Sequence, residues 1–283
     1  MRDKQIAGTV ALLVIFILSA FAQSVRAQNK QTLPSTGEVL VAEQPLPSKV
    51  YAAQQNVVQL VAKFYLKSDP TAYPVVYYGS GFVEEGSGLV VTARHLLVES
   101  LINIDKSLYV DNNGIFQSVA YDSKFFAVIE TPAGINEFPL TAVAMDPLGT
   151  YADAMFLKSN RKLPVQSLKL VHTASVGDIV YASGFVTSFS HYHDADGIAQ
   201  PVENRIKFNF RNTIIDIRED SELRSAGMAR MYILVDHAQG GFSGGPLLNT
   251  QGQVLGITIE VQGAFTFVLS SRDIANLISS VKK

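Results

Sequence analysis

The segment of the chain best suited to chemistry is residues 239–247, Gln-Gly-Gly-Phe-Ser-Gly-Gly-Pro-Leu, which places Ser243 inside a glycine-rich turn. A serine hydroxyl is a weak nucleophile at neutral pH, so it needs a base, and the oxyanion that its attack creates needs fixed donors. Glycines allow such a turn to adopt positive φ and to approach a bound carbonyl closely. The pattern therefore predicts Ser243 as a nucleophile and the backbone N–H groups of Gly241 and Ser243 as the oxyanion hole.

A base and an acid that could orient it lie upstream of this serine. Residues 88–95 form an apolar run that ends in Thr-Ala-Arg-His, which presents His95 at the end of a predicted strand. Asp153 opens a second apolar run, whereas Asp146 is followed by proline and is interpreted as a turn residue. These contexts favour His95 as the base and Asp153 as the carboxylate beside it.

The order His95, Asp153, Ser243, with the sequences around each residue, resembles the chymotrypsin-like (trypsin-like) serine peptidases, most closely their bacterial HtrA-like branch. The resemblance covers about residues 55–281, and its further matching segments are residues 79–83, 92–95, 177–181, 243–249 and 252–257. It implies a serine endopeptidase that acts on proteins or peptides without a cofactor. His95 would be general base and then acid, Asp153 would hold its tautomer, and Ser243 would form an acyl-enzyme.

The serine motif taken alone also fits other classes of protein. Gly-Phe-Ser-Gly-Gly also fits the nucleophile elbow of α/β-hydrolases, which would make the chain an esterase or lipase. That fold places its histidine after the serine, whereas all 5 histidines of this chain precede Ser243. Two alternatives stay open on the chymotrypsin-like fold: a catalytically latent module that binds peptides or proteins, and an esterase or acyl-transfer use of the same residues.

Substrate selection is expected in residues before the serine and in the strand after residue 257, which wall the S1 pocket in the resembled family. The residues at these positions are His237, Thr258, Ile259, Glu260 and Gly263. A neutral His237 with apolar neighbours would accept a medium apolar P1 residue. An inward-facing Glu260 would instead favour a basic one.

Two departures from digestive trypsins carry physical meaning. Phe242 stands where trypsin-like zymogens have the aspartate that receives a newly cut N-terminal ammonium group, so activation by N-terminal insertion is not expected. The chain contains no cysteine. The disulfides that brace secreted trypsins therefore cannot form, and stability must come from packing.

Residues 1–27 are predicted to be a signal peptide or an N-terminal membrane anchor, because basic residues precede an apolar run that is followed by small residues. The apolar stretch 6–22 approaches the roughly 20 residues that span a bilayer, so cleavage after Ala27 and retention as an anchor both stay open. Either outcome places the rest of the chain outside the cytoplasm, periplasmic or secreted. Residues 28–50 are polar and punctuated by proline, which predicts a flexible linker.

Residues 51–283 are predicted to form an all-β domain of two six-stranded antiparallel β-barrels with a C-terminal helix. By resemblance, the first barrel spans about residues 55–160 and donates His95 and Asp153, and the second spans about 165–270 and donates Ser243. Apolar residues at helical spacing behind Ser270 and Ser271 predict a helix over about 271–281. No PDZ module is expected after it, unlike in many HtrA-like proteases.

Composition argues against several other functions. The net charge is −2 and the basic residues are scattered, so we expect no nucleic-acid partner. Residues 191–196, His-Tyr-His-Asp-Ala-Asp, could suggest a metal site. We interpret this segment as a solvated loop tip at the edge of the cleft, and no metal is predicted.

Overall fold

The computed structural model of the chain describes the protein from Leu46 to Val281 with short gaps. The described residues are 46–105, 107–112, 114–145, 152–193, 199–219, 221, 225, 228, 230–235 and 241–281, without the side chains of 98–99, 187–193, 199–206 and 281. The predicted signal segment and nearly all of the predicted linker, as well as Asp146 and His237, lie outside these residues. Among the described residues, none of the helices has the length and apolar character needed to cross a bilayer.

The first half of the domain is a closed barrel of six antiparallel strands. The strands of this half are β1 (Val57–Leu66), β2 (Val75–Val83), β3 (Val90–Ala93), β6 (Tyr121–Thr131), β7 (Gly134–Met145) and β8 (Ala154–Ser159), with a separate hairpin of β4 (Leu108–Val110) and β5 (Phe116–Ser118). The barrel closes in the order β1-β2-β3-β8-β7-β6. Most residues of β1 are buried apolar side chains at consecutive positions, so both the inner and the outer face of this strand are covered.

The second half is another closed barrel, in the order β10-β11-β14-β13-β12-β9. Its strands are β9 (Ile179–His193), β10 (Ala199–Arg218), β11 (Met231–Val235), β12 (Pro246–Asn249), β13 (Val254–Gln262) and β14 (Phe265–Ser270). The long β9 and β10 pair from Ala199 opposite His193 to Thr213 opposite Ile179. His191 and His193 are thus strand residues of this hairpin, and residues 194–198 lie outside the described part. The prediction of two six-stranded antiparallel barrels is confirmed.

Helices occupy the edges of the domain. They are α1 (Ser48–Gln54), α2 (Val98–Ile104) and α3 (Ser271–Val281), and a 3₁₀ turn covers Arg94–Leu96. Helix α1 begins within the predicted linker, and its Val50 is fully buried. The predicted C-terminal helix is confirmed, and Ser270 caps it: the Ser270 hydroxyl lies 2.7 Å from the Asp273 carboxylate and accepts the Asp273 N–H at 3.3 Å.

Three clusters of buried apolar side chains form the core. One fills the first barrel around Phe64 and Met155, and one fills the second barrel around Tyr232 and Phe242. The third joins the two barrels: it combines first-barrel side chains (Phe82, Val91, Phe156) with second-barrel and α3 side chains (Ile233, Leu248, Ile257, Leu269, Ile274). A continuous apolar contact therefore fixes the barrels against each other, and residues placed along this junction can meet.

Candidate active site

The first barrel brings His95 next to Asp153 through the register of two strands. Strand β3 is fully buried and ends at Ala93, which pairs with Ala154 at the start of β8. His95 follows the end of one strand and Asp153 precedes the other, so the two residues are neighbours across the sheet. The Arg94 N–H donates to the Asp153 carbonyl at 3.0 Å and continues the ladder by one step.

Both carboxylate oxygens of Asp153 accept a hydrogen bond from His95. The imidazole Nδ1 lies 2.6 Å from Oδ2, and the His95 backbone N–H donates to Oδ1 at 2.8 Å. An ionised carboxylate can only accept, so Nδ1 carries the proton in the neutral ring and Nε2 presents a lone pair. The two side chains are only 20% and 15% exposed, which protects the pair from competing water. The geometry is that of a histidine oriented for general-base chemistry.

Ser243 lies in a tight turn between β11 and β12 that backbone hydrogen bonds hold in place. The Gly245 N–H donates to the Phe242 carbonyl at 2.8 Å, and the Gly244 N–H donates to the Thr258 carbonyl at 2.8 Å. Gly241 and Gly244 have φ of 99° and 79°, a region that residues with a Cβ rarely adopt. The glycines of the motif are therefore required by the turn itself.

This turn packs directly against the strand that ends at His95. A Cβ atom on Gly244 would lie 2.5 Å from the Ser80 carbonyl oxygen and 2.6 Å from the Ala93 nitrogen, with Thr92 Oγ1 closer still. Gly244 follows Ser243, and Ala93 stands two residues before His95. The junction of the barrels thus brings together the turn that carries Ser243 and the segment that carries His95 and Asp153.

The two backbone amides predicted as the oxyanion hole, those of Gly241 and Ser243, differ in hydrogen bonding from the amides of Gly244 and Gly245. The N–H groups of Gly244 and Gly245 both donate to backbone carbonyls. Across the described part of the chain, the N–H groups of Gly241 and Ser243 have no backbone acceptor. The Phe242 N–H, which lies between them, also has no backbone acceptor in this part of the chain. The turn therefore has donors at the two predicted positions that an incoming oxyanion could use.

Phe242 anchors the turn from the inside of the second barrel. Its side chain is fully buried in the barrel core, and its ring lies 5.3 Å from that of Phe210. A Cβ on Gly184 would lie 3.0 Å from the Phe242 ring, so strand β9 also contacts it closely. An aromatic side chain packed in a hydrophobic core precedes Ser243, and it offers no carboxylate to a new N-terminus.

Four of the predicted S1 residues, Thr258, Ile259, Glu260 and Gly263, lie on the β13–β14 hairpin, and Thr258 is the one bonded to the Ser243 turn. Thr258 is buried, and its N–H donates to the Gly245 carbonyl at 2.9 Å, beside the Ser243 turn. Ile259 is half-buried, and Glu260 is exposed and accepts a hydrogen bond from Gln262 at 2.6 Å. Gly263 lies in the turn that joins β13 to β14. Their role in substrate selection stays a prediction.

Strand β14 carries a buried hydroxyl, that of Thr266, near the predicted S1 residues of β13, and the sequence does not indicate it. Thr266 and Thr258 are 1% and 2% exposed, and neither hydroxyl has a hydrogen-bond partner among the residues that the structure describes. Thr266 pairs with Val261 and Thr258 with Val268, so two buried hydroxyls occur on the β13–β14 hairpin. An isolated threonine inside an apolar strand gives no signal in the sequence, because threonine is a common strand residue.

Two closed six-stranded antiparallel barrels, with a histidine–aspartate pair on one and a serine turn on the other, define the chymotrypsin-like class of fold. A family model described as the trypsin-like peptidase domain matches residues 79–257. The chain therefore belongs to the trypsin-like peptidase family, a family of serine endopeptidases.

The sequence is also similar to that of one known relative. A Do-like protease of Arabidopsis thaliana, Do-like 14, is 27% identical over 184 residues, which cover 64% of this chain and 35% of that protein. The chain thus spans about a third of the length of that relative.

Two solved structures share the fold. The inactive form of Rv3671c from M. tuberculosis H37Rv matches with a TM-score of 0.52 at 18% identity, covering 89% of this chain and 98% of that one. AlgW, an HtrA-type protease with a bound tripeptide, matches with a TM-score of 0.54 at 16% identity, covering 82% of this chain and 62% of that one. At such identities the likeness shows the fold alone.

Proposed function

We propose that this protein is an extracytoplasmic serine endopeptidase that hydrolyses peptide bonds with Ser243, His95 and Asp153. The observation that carries the proposal is the His95–Asp153 pair, with its 2.6 Å hydrogen bond, packed beside the turn of Ser243. Membership of the trypsin-like peptidase family supports the same chemistry. The substrates would be proteins or peptides, and no cofactor is needed.

In the proposed reaction, His95 Nε2 removes the proton from the Ser243 hydroxyl as its oxygen attacks the scissile carbonyl carbon. Asp153 stays ionised and stabilises the imidazolium that forms. The imidazolium then protonates the leaving amine, and an acyl-enzyme on Ser243 remains. Water, activated by His95, hydrolyses this ester and restores the free serine.

The tetrahedral intermediates place negative charge on the former carbonyl oxygen. The N–H groups of Gly241 and Ser243 would bind this oxygen, which is supported by their lack of backbone acceptors in the described part of the chain. Because the turn is fixed before substrate arrives, these dipoles need no reorganisation during the reaction.

Selection at P1 is proposed to involve His237, Thr258, Ile259, Glu260 and Gly263. Two preferences follow from these residue types: a neutral His237 with apolar residues such as the half-buried Ile259 would accept an apolar P1 residue, and an inward-facing Glu260 carboxylate would select a basic one. Cleavage of a peptide library by the wild-type protein and by Glu260→Gln separates them. A preference for Lys or Arg that Glu260→Gln removes supports the second, and a strict acidic P1 preference would contradict both.

The proposed location outside the cytoplasm depends on residues 1–27, and a membrane-anchored form would use the apolar stretch 6–22. Cell fractionation with N-terminal sequencing of the recovered protein tests both. A mature N-terminus at Gln28 supports cleavage, and an intact N-terminus in the membrane fraction supports the anchor. Recovery in the cytoplasm would contradict both.

The first test of the activity is covalent labelling by a fluorophosphonate probe, read by intact mass. We expect one probe per protein, and no labelling of Ser243→Ala or His95→Ala. Circular dichroism spectra matching the wild type show that these variants are folded. Absence of labelling in well-folded wild-type protein would contradict the proposal and favour a catalytically latent module that binds peptides.

A further inference from the structure

A buried serine of the first barrel, Ser80 on β2, contacts the nucleophile turn of the second barrel. Its side chain has no exposed surface. Its backbone N–H donates to the Ser243 carbonyl at 2.8 Å, and its own carbonyl accepts the Thr92 hydroxyl at 2.8 Å. The main chain of Ser80 therefore attaches the C-terminal side of the turn to the first barrel.

The Ser80 hydroxyl attaches the other side of the same turn. Its Oγ lies 2.7 Å from the Gly241 carbonyl oxygen, and it accepts the Phe185 N–H from strand β9 at 2.8 Å. A backbone N–H can only donate and a carbonyl can only accept. The single hydroxyl proton of Ser80 must consequently point at Gly241, so the direction of this bond is fixed by its partners.

From these contacts we infer that Ser80 is a positioning residue for the oxyanion hole, an inference that rests on the function proposed above. Glycine at φ 99° lacks a Cβ, so the local backbone of Gly241 has little intrinsic preference for one orientation. The Ser80 hydroxyl holds the Gly241 carbonyl towards the first barrel. This bond fixes the 241–242 peptide plane, one of the two planes that meet at the Gly241 Cα. The Gly241 N–H belongs to the other plane, so we infer that fixing the first narrows the orientations that the N–H can adopt.

Packing around Ser80 leaves the turn little freedom to compensate for loss of the hydroxyl. A Cβ on Gly245 would lie 3.2 Å from the Ser80 Cβ, and a Cβ on Gly184 would lie 3.0 Å from the Ser80 Oγ. Removing the hydroxyl leaves the Gly241 carbonyl and the Phe185 N–H without this partner in a buried site. We expect the Gly241 segment to move to recover a hydrogen bond, which misdirects its N–H.

The test compares Ser80→Ala with Ser118→Ala. Ser118 is 1% exposed, and its hydroxyl also accepts backbone N–H groups, those of Ala120 and Tyr121. Both variants delete a buried serine hydroxyl that accepts from backbone N–H groups. The Ser118 hydroxyl donates to the Asp105 carboxylate, whereas that of Ser80 donates to the Gly241 carbonyl. Ser118 lies in β5, and among the described residues its hydroxyl has no hydrogen bond to the Ser243 turn. A role of Ser80 in stability alone predicts similar behaviour of the two variants at the active site.

Two readouts are measured on each variant. The first is hydrogen–deuterium exchange of peptides that cover residues 241–249, which does not require catalysis. We expect faster exchange in Ser80→Ala and wild-type exchange in Ser118→Ala. The second is steady-state cleavage, where we expect Ser80→Ala to lower kcat about 10-fold to 100-fold with KM changed less than 2-fold, and Ser118→Ala to leave both unchanged.

A conservative variant, Ser80→Cys, keeps a weak donor at the same position. We expect its kcat and its exchange rate to lie between those of the wild type and Ser80→Ala, and it serves as the test variant should Ser80→Ala fold poorly. Wild-type exchange in residues 241–249 together with unchanged kcat in Ser80→Ala would overturn the inference. A wild-type protein that the probe does not label would refute the proposed function, whereas the exchange comparison would still decide whether Ser80 orders the turn.

Discussion

In the first barrel the His95–Asp153 pair is held by hydrogen bonds to a carboxylate, whereas in the second barrel the Ser243 turn is held by its own backbone and by close packing. Asp153 binds both the ring and the backbone of His95. The turn is fixed instead by positive-φ glycines, by uncharged hydrogen bonds to Thr258 and to Ser80 of the first barrel, and by the buried ring of Phe242. The His95–Asp153 half of the site therefore depends mainly on a charge, and the Ser243 half depends mainly on close packing. Substitutions in the first half should reduce activity, and substitutions in the second should reduce the free energy of unfolding.

The largest expected effect on activity comes from the charge at Asp153. Asp153→Asn keeps the shape of the side chain, and its amide oxygen can still accept the His95 backbone N–H. Its NH₂ group then faces Nδ1, which favours the wrong imidazole tautomer. We expect kcat to fall about 10⁴-fold, with a free energy of unfolding within about 1 kcal/mol of the wild type.

Peptide cleavage and chemical denaturation measure these two quantities. Asp216→Asn provides a comparison at an exposed aspartate of β10 and should change neither. Loss of folding in Asp153→Asn, in place of loss of kcat, would contradict the view that charge is the main contribution of this half.

Gly244→Ala should show the opposite pattern, with a large loss in the free energy of unfolding, because Gly244 has no room for a side chain. Gly244→Ala introduces a Cβ within 2.6 Å of the Ala93 nitrogen and near Ser80 and Thr92, all in the buried junction. We expect a loss of more than about 4 kcal/mol in the free energy of unfolding, or failure to fold, and no probe labelling at Ser243.

The matched control is Gly88→Ala. Gly88 has φ +70°, close to the +79° of Gly244, but a Cβ there would meet nothing within 4 Å. Gly88→Ala should lower the free energy of unfolding by about 1–2 kcal/mol, which is the effect of the left-handed conformation alone. Equal losses in the two variants would show that backbone conformation, not crowding, restricts residue 244.

The aromatic anchor of the turn is expected to have the next largest effect. Phe242→Ala opens a cavity in the second-barrel core, and we expect a loss of about 3–5 kcal/mol in the free energy of unfolding. Phe208→Ala removes a ring that stacks on Phe210 but is 37% exposed, and should cost less than half as much. Urea denaturation followed by circular dichroism gives both values, and a small loss in Phe242→Ala would contradict the packing role of this half.

The sequence predicts the candidate residues of the site better than it predicts the contacts that hold them in place. The candidate residues His95, Asp153 and Ser243 could be proposed from the sequence because their signals are local: a histidine at a strand end, an aspartate opening a strand, and a serine among glycines. Their order along the chain matched a known family, and the pairing of strands into barrels came from that resemblance. Strand contacts between distant segments leave no local signal from which the closure could be derived.

The supports of the site could not be predicted in the same way. Ser80 and Gly241 are 161 residues apart, and nothing in either segment indicates a hydrogen bond between them. Helix α2 follows His95 with a sequence, Val-Glu-Ser-Leu-Ile-Asn-Ile, that is rich in β-branched residues and has the texture of a strand. The segment nevertheless forms a helix, and this helix buries Leu101 in the first-barrel core.

The smallest expected effect concerns a lysine that links the two barrels. Lys207, on β10, places its Nζ 5.0 Å from the Phe185 ring centroid and 3.4 Å from the Gln55 carbonyl, just before β1. Burial lowers the pKa of Lys207 from its ordinary value of 10.5 to about 8, although the nearby Glu130 acts in the opposite direction. The folded protein therefore releases this proton at a lower pH than the unfolded chain does.

Between about pH 8 and 10.5 the unfolded state binds more protons at this site, so the Lys207 contribution to the free energy of unfolding rises with pH. Lys207→Met retains the apolar stem without the charge, and we expect it to be about 1–2 kcal/mol more stable than the wild type at pH 7. This difference should shrink as the pH passes through 8 and approaches 10. Urea denaturation at pH 7, 8, 9 and 10 measures it.

Lys124→Met is the comparison variant, because Lys124 also lies over a ring, that of Tyr65 at 4.6 Å, but is exposed on the first barrel. A pH dependence of the same size in Lys124→Met would show that the effect of Lys207→Met is not specific to the buried site. A difference for Lys207→Met that is independent of pH would show that water reaches the ammonium group at the barrel junction. The close packing assigned to the Ser243 half would then not extend to Lys207.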